Sequence, residues 1–216
     1  MINNIFEIIW SIPAVLIAIT FHEYAHGFAA YYYGDPTAKL AGRLTLNPIA
    51  HLDPIGTIML IMFRIGWAKP VPVNYGNLRN PRKDMIKVSL AGPISNILIA
   101  FLFSIIYRIN NLFLQNIIYS ALGNIPNLVL TLIRGWIIFL QTGILINLVL
   151  AFFNLIPVPP LDGHHIAIGI LPIKWAKIYS KINSTYGMLI LLMLIWTGII
   201  GKVIFPIAFY IFRFLT

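Results

Sequence analysis

Long apolar stretches limit the possible folds of this chain more than any other feature. A helix needs about 20 mainly apolar residues to cross the hydrocarbon core of a bilayer, and residues 85–107 and 126–155 are both predominantly apolar. Apolar residues make up 59% of the 216 residues and charged residues only 10%, which is more apolar surface than a soluble domain of this size can bury. We therefore predict an α-helical polytopic membrane protein.

The same pattern predicts a single membrane-embedded domain over residues 1–216, with about four to six transmembrane or re-entrant helices. A Gly-Asp-Pro run ends the first helix. Two segments in the loop that follows, 38–46 and 67–73, have strand character, and Pro70 and Pro72 restrict the second to a sheet edge. The predicted elements are a helix at 5–33, a strand-bearing loop at 37–83 with a re-entrant segment at 54–65, spans at 85–107 and 126–155, and a C-terminal span or broken helix at 186–214.

The basic residues indicate membrane orientation rather than nucleic acid binding. The formal net charge is +9, yet eight Lys or Arg residues lie between residues 34 and 87, three more lie between 174 and 181, and none lies between 109 and 133. By the positive-inside rule, the strand-bearing loop and the end of the 126–155 span both face the cytoplasm. The expected location is a cell membrane, bacterial in type, with the chemistry toward the cytoplasmic side.

A histidine–glutamate motif lies near the end of the first predicted helix, which has no basic N-terminal cluster and which we expect to be retained. His22, Glu23 and His26 form an H-E-x-x-H pattern, and positions i and i+4 of a helix share one face, so both imidazoles can bind one metal ion. The glutamate lies beside the first histidine, where it can take a proton from water activated by zinc. The structural alternative is a helix end whose polar residues only meet the membrane interface.

A zinc hydrolase needs a third protein ligand, and the chain contains no cysteine. Asp162 follows the 126–155 span on the side where the first helix ends, and the prolines before it, in PVPPLDG, restrict the backbone. An Asp-Gly pair is also typical of a turn in which the aspartate caps the next segment. The spacing alone leaves both interpretations open.

Six motifs together resemble the site-2 protease family of intramembrane zinc metalloproteases. They are HEYAHGF, GRLTLNP, HLDPIGT, KPVPVN, AGPISN and N-x-x-P-x-P-P-L-D-G, and they are most similar to the short bacterial branch without PDZ or CBS domains. The resemblance implies that His22, His26 and Asp162 bind one Zn²⁺ per chain and that Glu23 is the catalytic base. It also implies a three-helix core with a small membrane-associated β-sheet, and substrates that are transmembrane proteins or remnants of signal peptides.

Several other polar residues are weaker candidates. Asn154 and Asn96 lie in spans, where a buried amide could stabilise an oxyanion or position the substrate backbone; the alternatives are a bond to a freed helix carbonyl for Asn154 and a packing role for Asn96. His51, His164 and His165 could approach the metal, although loop histidines are the simpler interpretation. The open strand edges at 38–46 and 67–73 could capture an unwound substrate by strand addition.

Two other functions stay open from the sequence. A membrane metal-ion transporter also carries His and Asp within its spans, but it does not need a glutamate beside the first histidine. A non-catalytic relative could bind membrane peptides without cutting them. The expected partners are membrane substrates and the lipid bilayer, with no nucleic acid, and the sequence does not indicate an oligomeric state.

Overall fold

The structure is a computed structural model that describes residues 5–63, 66–121, 126–181 and 184–216. These residues are mostly helical. The helices are α1 (Ile5–Tyr32), α2 (Thr37–Leu40), α3 (Pro54–Phe63), α4 (Pro81–Ala121), α5 (Asn127–Asn154), α6 (Asp162–Ile170), α7 (Ile173–Tyr179), α8 (Ser184–Trp196) and α9 (Ile199–Leu215).

Helices α1, α4 and α5 pack against one another and form the centre of the molecule. A buried cluster between α4 and α5 includes Phe103, Leu140 and Ile144. Gly143 allows these two helices to approach closely, because a methyl group there would lie 2.2 Å from the Phe103 ring. The close approach also brings polar side chains of the three helices within hydrogen-bonding distance.

Helices α1, α4 and α5 are each long and apolar enough to cross a membrane, and the pair α8 and α9 adds a fourth span if the two count as one broken helix. The pair bends by 70° at Gly198, whose φ of 70° is in the left-handed region that glycine adopts without strain. Ser104 of α4 donates to the Leu215 carbonyl at 2.6 Å and so holds the end of α9. The predicted 186–214 segment is therefore a broken helix.

The predicted strand at 38–46 is wrong. Residues Thr37–Leu40 form helix α2 instead, and the Asp35 side chain accepts the Thr37 backbone N–H at 3.1 Å, which supports a helical turn. Gly42 has a φ of 65° directly after this turn. A segment that begins as a helix and then enters the left-handed region cannot form a continuous strand edge.

The predicted strand at 67–73 is extended but has no strand partner among the described residues, so the small β-sheet expected after the first helix is not found there. Its one bridge joins Ala68 to Leu52. The Lys69 N–H donates to the His51 carbonyl at 2.9 Å, and Pro70 and Pro72 have no N–H to donate. The backbone N–H groups that a β-ladder would need are thus missing at the prolines or already bonded to other groups.

Helix α3 lies within the predicted re-entrant segment 54–65, of which residues 64–65 lie outside the described residues. Its re-entrant character stays a prediction.

Asp35 fixes the loop after α1 to the end of that helix. Its carboxylate is fully buried and accepts hydrogen bonds from the Asn74 N–H at 2.7 Å and the Asn77 side-chain amide at 2.9 Å, besides those from Thr37. Burial alone would raise the pKa of Asp35, but these hydrogen bonds hold it below its ordinary value. The end of the 66–74 segment is therefore anchored where α1 ends.

Candidate metal centre

Helix α1 presents two imidazoles to the same point in the interior. His22 and His26 are four residues apart, and their Nε2 atoms lie 3.1 Å from each other. Both side chains are buried, with 7% and 11% of their surface exposed. The H-E-x-x-H spacing therefore produces the convergence that the sequence predicts.

The third donor comes from the other end of the chain. Asp162 is the first residue of α6, and its Oδ2 atom lies 3.2 Å from both histidine Nε2 atoms. The residue after it must be small, because a methyl group on Gly163 would lie 2.4 Å from the carbonyl oxygens of Leu155 and Ile156. Within the described residues, these three side chains are the one group of histidine and acidic residues close enough to hold a metal ion.

The second nitrogen of each imidazole determines which nitrogen faces the centre. His22 Nδ1 lies 2.6 Å from the Asn96 side-chain oxygen, and His26 Nδ1 lies 2.8 Å from the Val88 carbonyl oxygen. Both oxygens can only accept, so both Nδ1 atoms carry hydrogen. A ring with its one hydrogen on Nδ1 has its lone pair on Nε2, the atom that faces the centre, as in metal-binding histidines.

The donor set fits zinc. Two nitrogen lone pairs and a carboxylate oxygen at 3.1–3.2 Å repel one another unless a cation lies between them. Ligands about 2.0–2.1 Å from a tetrahedral zinc ion are about 3.3 Å apart, which is close to the observed separations.

Helix α4 closes one side of the centre with a residue that has no side chain. A methyl group on Gly92 would lie 2.3 Å from His26 Nε2 and 2.7 Å from His22 Nε2. Any larger residue at this position would occupy the space that the three donors surround. The glycine of the AGPISN motif therefore keeps the centre open.

Glu23 lies on α1 beside the donors but is not one of them. Its Oε2 atom accepts the Val71 backbone N–H at 2.8 Å. Val71 is buried and lies between Pro70 and Pro72 in the extended segment. One carboxylate oxygen of Glu23 is thus held by the loop, and the contact fixes the direction of the side chain.

Four of the weaker candidates do not belong to the group of donors. Asn154 donates to the Leu150 carbonyl of its own helix at 3.0 Å. His51 is buried and bonds through Nε2 to the Thr45 carbonyl at 2.8 Å. Burial lowers the pKa of both His164 and His165, and neither belongs to the group of donors.

Asn96 is fully buried behind His22. Its oxygen accepts from His22, and its nitrogen donates to the Ala18 carbonyl at 3.0 Å and to Asn147 at 2.7 Å. These bonds favour a role in orienting the histidine over the predicted contact with an oxyanion or a substrate.

The sequence interpretation missed Asn147. It is a fully buried amide on α5 within an otherwise apolar part of that helix. Its position inside a predicted span was the signal that could have found it, since polar residues there mark function by default.

Comparisons with known proteins agree with this geometry. Residues 10–198 match peptidase family M50. The chain is 38% identical to YwhC of Bacillus subtilis, which is named as a zinc metalloprotease, over 89% of this chain and 82% of the relative. It is 27% identical to Rip2 of Mycolicibacterium smegmatis over 92% of this chain and 71% of the relative. It is 26% identical to zinc metalloprotease MJ0392 of Methanocaldococcus jannaschii over 98% of this chain and 49% of the relative.

No solved structure matches the chain. The family match covers most of the sequence and both parts that form the centre, and the three long apolar helices fit a multi-pass membrane protein. The chain belongs to peptidase family M50, the site-2 protease family, and is a zinc metalloprotease of that type.

Proposed function

We propose that this protein is an intramembrane metalloprotease that hydrolyses peptide bonds of transmembrane segments within or near the bilayer. His22, His26 and Asp162 would hold one Zn²⁺ per chain, and Glu23 would act as the general base. The observation that carries the proposal is the convergence of three donor atoms at 3.1–3.2 Å on a buried point between α1 and α6.

Each residue has a separate task in this proposal. Bound zinc supplies a Lewis acid that polarises a carbonyl group and favours the deprotonation of water. Glu23 takes the proton from the attacking water and later delivers it to the leaving amine. The Val71 N–H holds one oxygen of this carboxylate, which leaves the other oxygen for the water.

The position of the centre along α1 favours cleavage within or near the bilayer. His22 lies ten residues before the end of α1 at Tyr32, which corresponds to about 15 Å along the helix axis. The proposed orientation places this end of α1 in the cytoplasm, because the basic residues are concentrated in the following loop. Water would then reach the centre from the cytoplasmic side of a bacterial cell membrane.

The proposed substrates are transmembrane proteins or remnants of signal peptides, which must unwind before a peptide bond can be attacked. Strand addition along 67–73 would not use the N–H groups of Lys69 and Val71, since both already donate within the protein. The Lys69 carbonyl also accepts from Arg43. Substrate recognition therefore depends on other contacts than a complete edge strand.

Replacement of Glu23 by Gln tests the mechanism. The glutamine oxygen can still accept the Val71 N–H, so the fold and the zinc ligands are kept, but the amide cannot take a proton. We expect one zinc ion per chain and cleavage of a reconstituted transmembrane substrate reduced by about 100-fold or more. Glu7→Gln is the matched control, because Glu7 is the other glutamate of the chain and lies in the first turn of α1.

The same assay separates the other functions. Asp162→Ala should lose zinc affinity together with cleavage. A transporter would instead move metal ions across liposomes that contain the purified protein, and a non-catalytic peptide-binding relative would bind the substrate without cutting it. Full activity of Glu23→Gln would refute the proposed general base.

A further inference from the structure

Two buried amides connect His22 to a helix that supplies none of the three donors. Asn96 of α4 accepts from His22 Nδ1 at 2.6 Å, and its nitrogen donates to the Asn147 side-chain oxygen of α5 at 2.7 Å. The Asn147 nitrogen donates to the Gly143 carbonyl of its own helix at 2.7 Å. Both amides are fully buried, so water cannot replace these bonds.

The acceptors around Asn96 determine which way its amide points. Its nitrogen lies between two oxygens, the Ala18 carbonyl at 3.0 Å and the Asn147 side-chain oxygen at 2.7 Å. Both oxygens can only accept, and the Asn147 oxygen faces Asn96 because Asn147 uses its nitrogen for Gly143. The Asn96 oxygen must therefore face His22.

The orientation of Asn96 in turn determines the tautomer of His22. An oxygen facing Nδ1 requires hydrogen on Nδ1 and leaves the Nε2 lone pair free. A reversed amide would direct N–H at Nδ1 and favour hydrogen on Nε2. The reversed form could not bind a metal through Nε2, which is the atom that faces His26 and Asp162.

We propose that Asn147 is a positioning residue of the metal centre. Its side-chain oxygen fixes the orientation of Asn96, and Asn96 fixes the tautomer and direction of His22 before the metal binds. Asn147 acts through two hydrogen bonds and touches neither the metal nor the substrate. The inference rests on zinc binding by His22, which is part of the proposed function.

Replacing Asn147 tests whether its oxygen matters for zinc binding. Asn147→Leu removes the acceptor and should weaken zinc binding by about 10-fold, at the lower end of the range for partners of metal-binding histidines. Asn147→Asp should bind zinc about as well as the wild type. A neutral carboxyl group in this apolar site accepts from Asn96 through its carbonyl oxygen and donates to Gly143 through its O–H.

A second variant guards against failure of Asn147→Leu to fold. The hydroxyl of Asn147→Thr can still donate to the carbonyl one turn earlier, but it is too short to reach Asn96. It should weaken zinc binding in the same way. Gln141→Leu is the matched control, because Gln141 is another α5 amide, bonded to the Tyr107 hydroxyl at 3.2 Å and outside this chain of bonds.

The measurement is the zinc dissociation constant of the full-length protein in detergent, obtained by competition with a chelator, together with the melting temperature of the zinc-free form. If Asn147 had only a structural role, Asn147→Leu would lower the melting temperature of the zinc-free form. Asn147→Asp would then not restore zinc affinity. Wild-type affinity in both Asn147→Leu and Asn147→Thr would overturn the inference, and so would an Asp variant that binds as weakly as the Leu variant. Unchanged affinity in His22→Ala would instead refute the metal centre of the proposed function.

Discussion

Gly92→Ala is the sharpest test of the geometry of the centre. The added methyl group would lie 2.3 Å from His26 Nε2, 2.6 Å from His22 Cε1 and 2.7 Å from His22 Nε2. Non-bonded heavy atoms are most stable about 3.5–4.0 Å apart, so contacts with both rings are too short by about 1 Å. Either α4 moves away from α1 or the imidazoles rotate.

Both responses break the same hydrogen bonds. His22 bonds to Asn96 and His26 bonds to Val88, and both acceptors lie on α4. Two buried hydrogen bonds contribute about 1–1.5 kcal/mol each, and their sum corresponds to roughly a 30- to 150-fold change in an equilibrium constant. We therefore expect zinc binding about 100-fold weaker than in the wild type, with a matching loss of cleavage at limiting zinc.

The assay is a chelator competition for zinc on the full-length protein in detergent, with the melting temperature of the zinc-free form as a check on folding. Gly201→Ala is the matched control, because a methyl group there lies 3.5 Å from its nearest neighbour, Phe205, which is an ordinary contact. Zinc binding by Gly92→Ala within about threefold of the wild type would refute the proposed geometry, since that change is below 1 kcal/mol.

Two further predictions concern the loop after α1. Val71→Pro removes the N–H that orients Glu23. Because a hydrogen bond to a charged group is lost, cleavage at full zinc occupancy should fall by about 10-fold. Val71→Ala keeps the N–H and should remain clearly more active than Val71→Pro in the same cleavage assay. Asp35→Asn places an amide against the Asn74 N–H and should lower the free energy of unfolding by about 2 kcal/mol, measured by thermal or denaturant unfolding in detergent. Because folding lowers the pKa of Asp35, its contribution is present at neutral pH and is lost as the pH falls below about 4; an equal loss in the Asn variant over this range would contradict that assignment.

The positions of the long helices could be predicted because a bilayer makes simple demands on a sequence. Residues 5–33, 85–107 and 126–155 are apolar over the length that a span requires, and α1, α4 and α5 lie at these positions. Helix α4 extends beyond the predicted span to Ala121. Hydropathy defines the part of a helix that lipid can cover, whereas the helix itself continues as long as its backbone bonds are satisfied.

The predicted sheet fails because strand character in a short segment says nothing about a partner. The 67–73 segment is extended, as its prolines favour, but the Val71 N–H donates to Glu23 and the Lys69 N–H to His51. The other expected strand is interrupted by α2 and by the left-handed conformation of Gly42. The conformation of these segments depends on contacts with α1 and the loop after it, and no local sequence pattern encodes those contacts.

The metal donors could be predicted from the sequence, whereas the bond between the amides that support them could not. His22 and His26 could be paired from sequence because the helix itself fixes their spacing. Asp162 was predicted from the resemblance to the family, since the Asp-Gly pair alone left a turn aspartate open. The bond between Asn96 and Asn147 depends on the relative register of α4 and α5, which the close contact of Gly143 with Phe103 sets. A buried amide in a span needs partners for both its oxygen and its nitrogen. A carbonyl of the same helix can serve the nitrogen, as Leu150 does for Asn154, whereas Asn96 finds its partners on α1 and α5. A buried amide such as Asn96 is therefore a reason to search the neighbouring spans for a second one, and Asn147 is the residue that such a search finds.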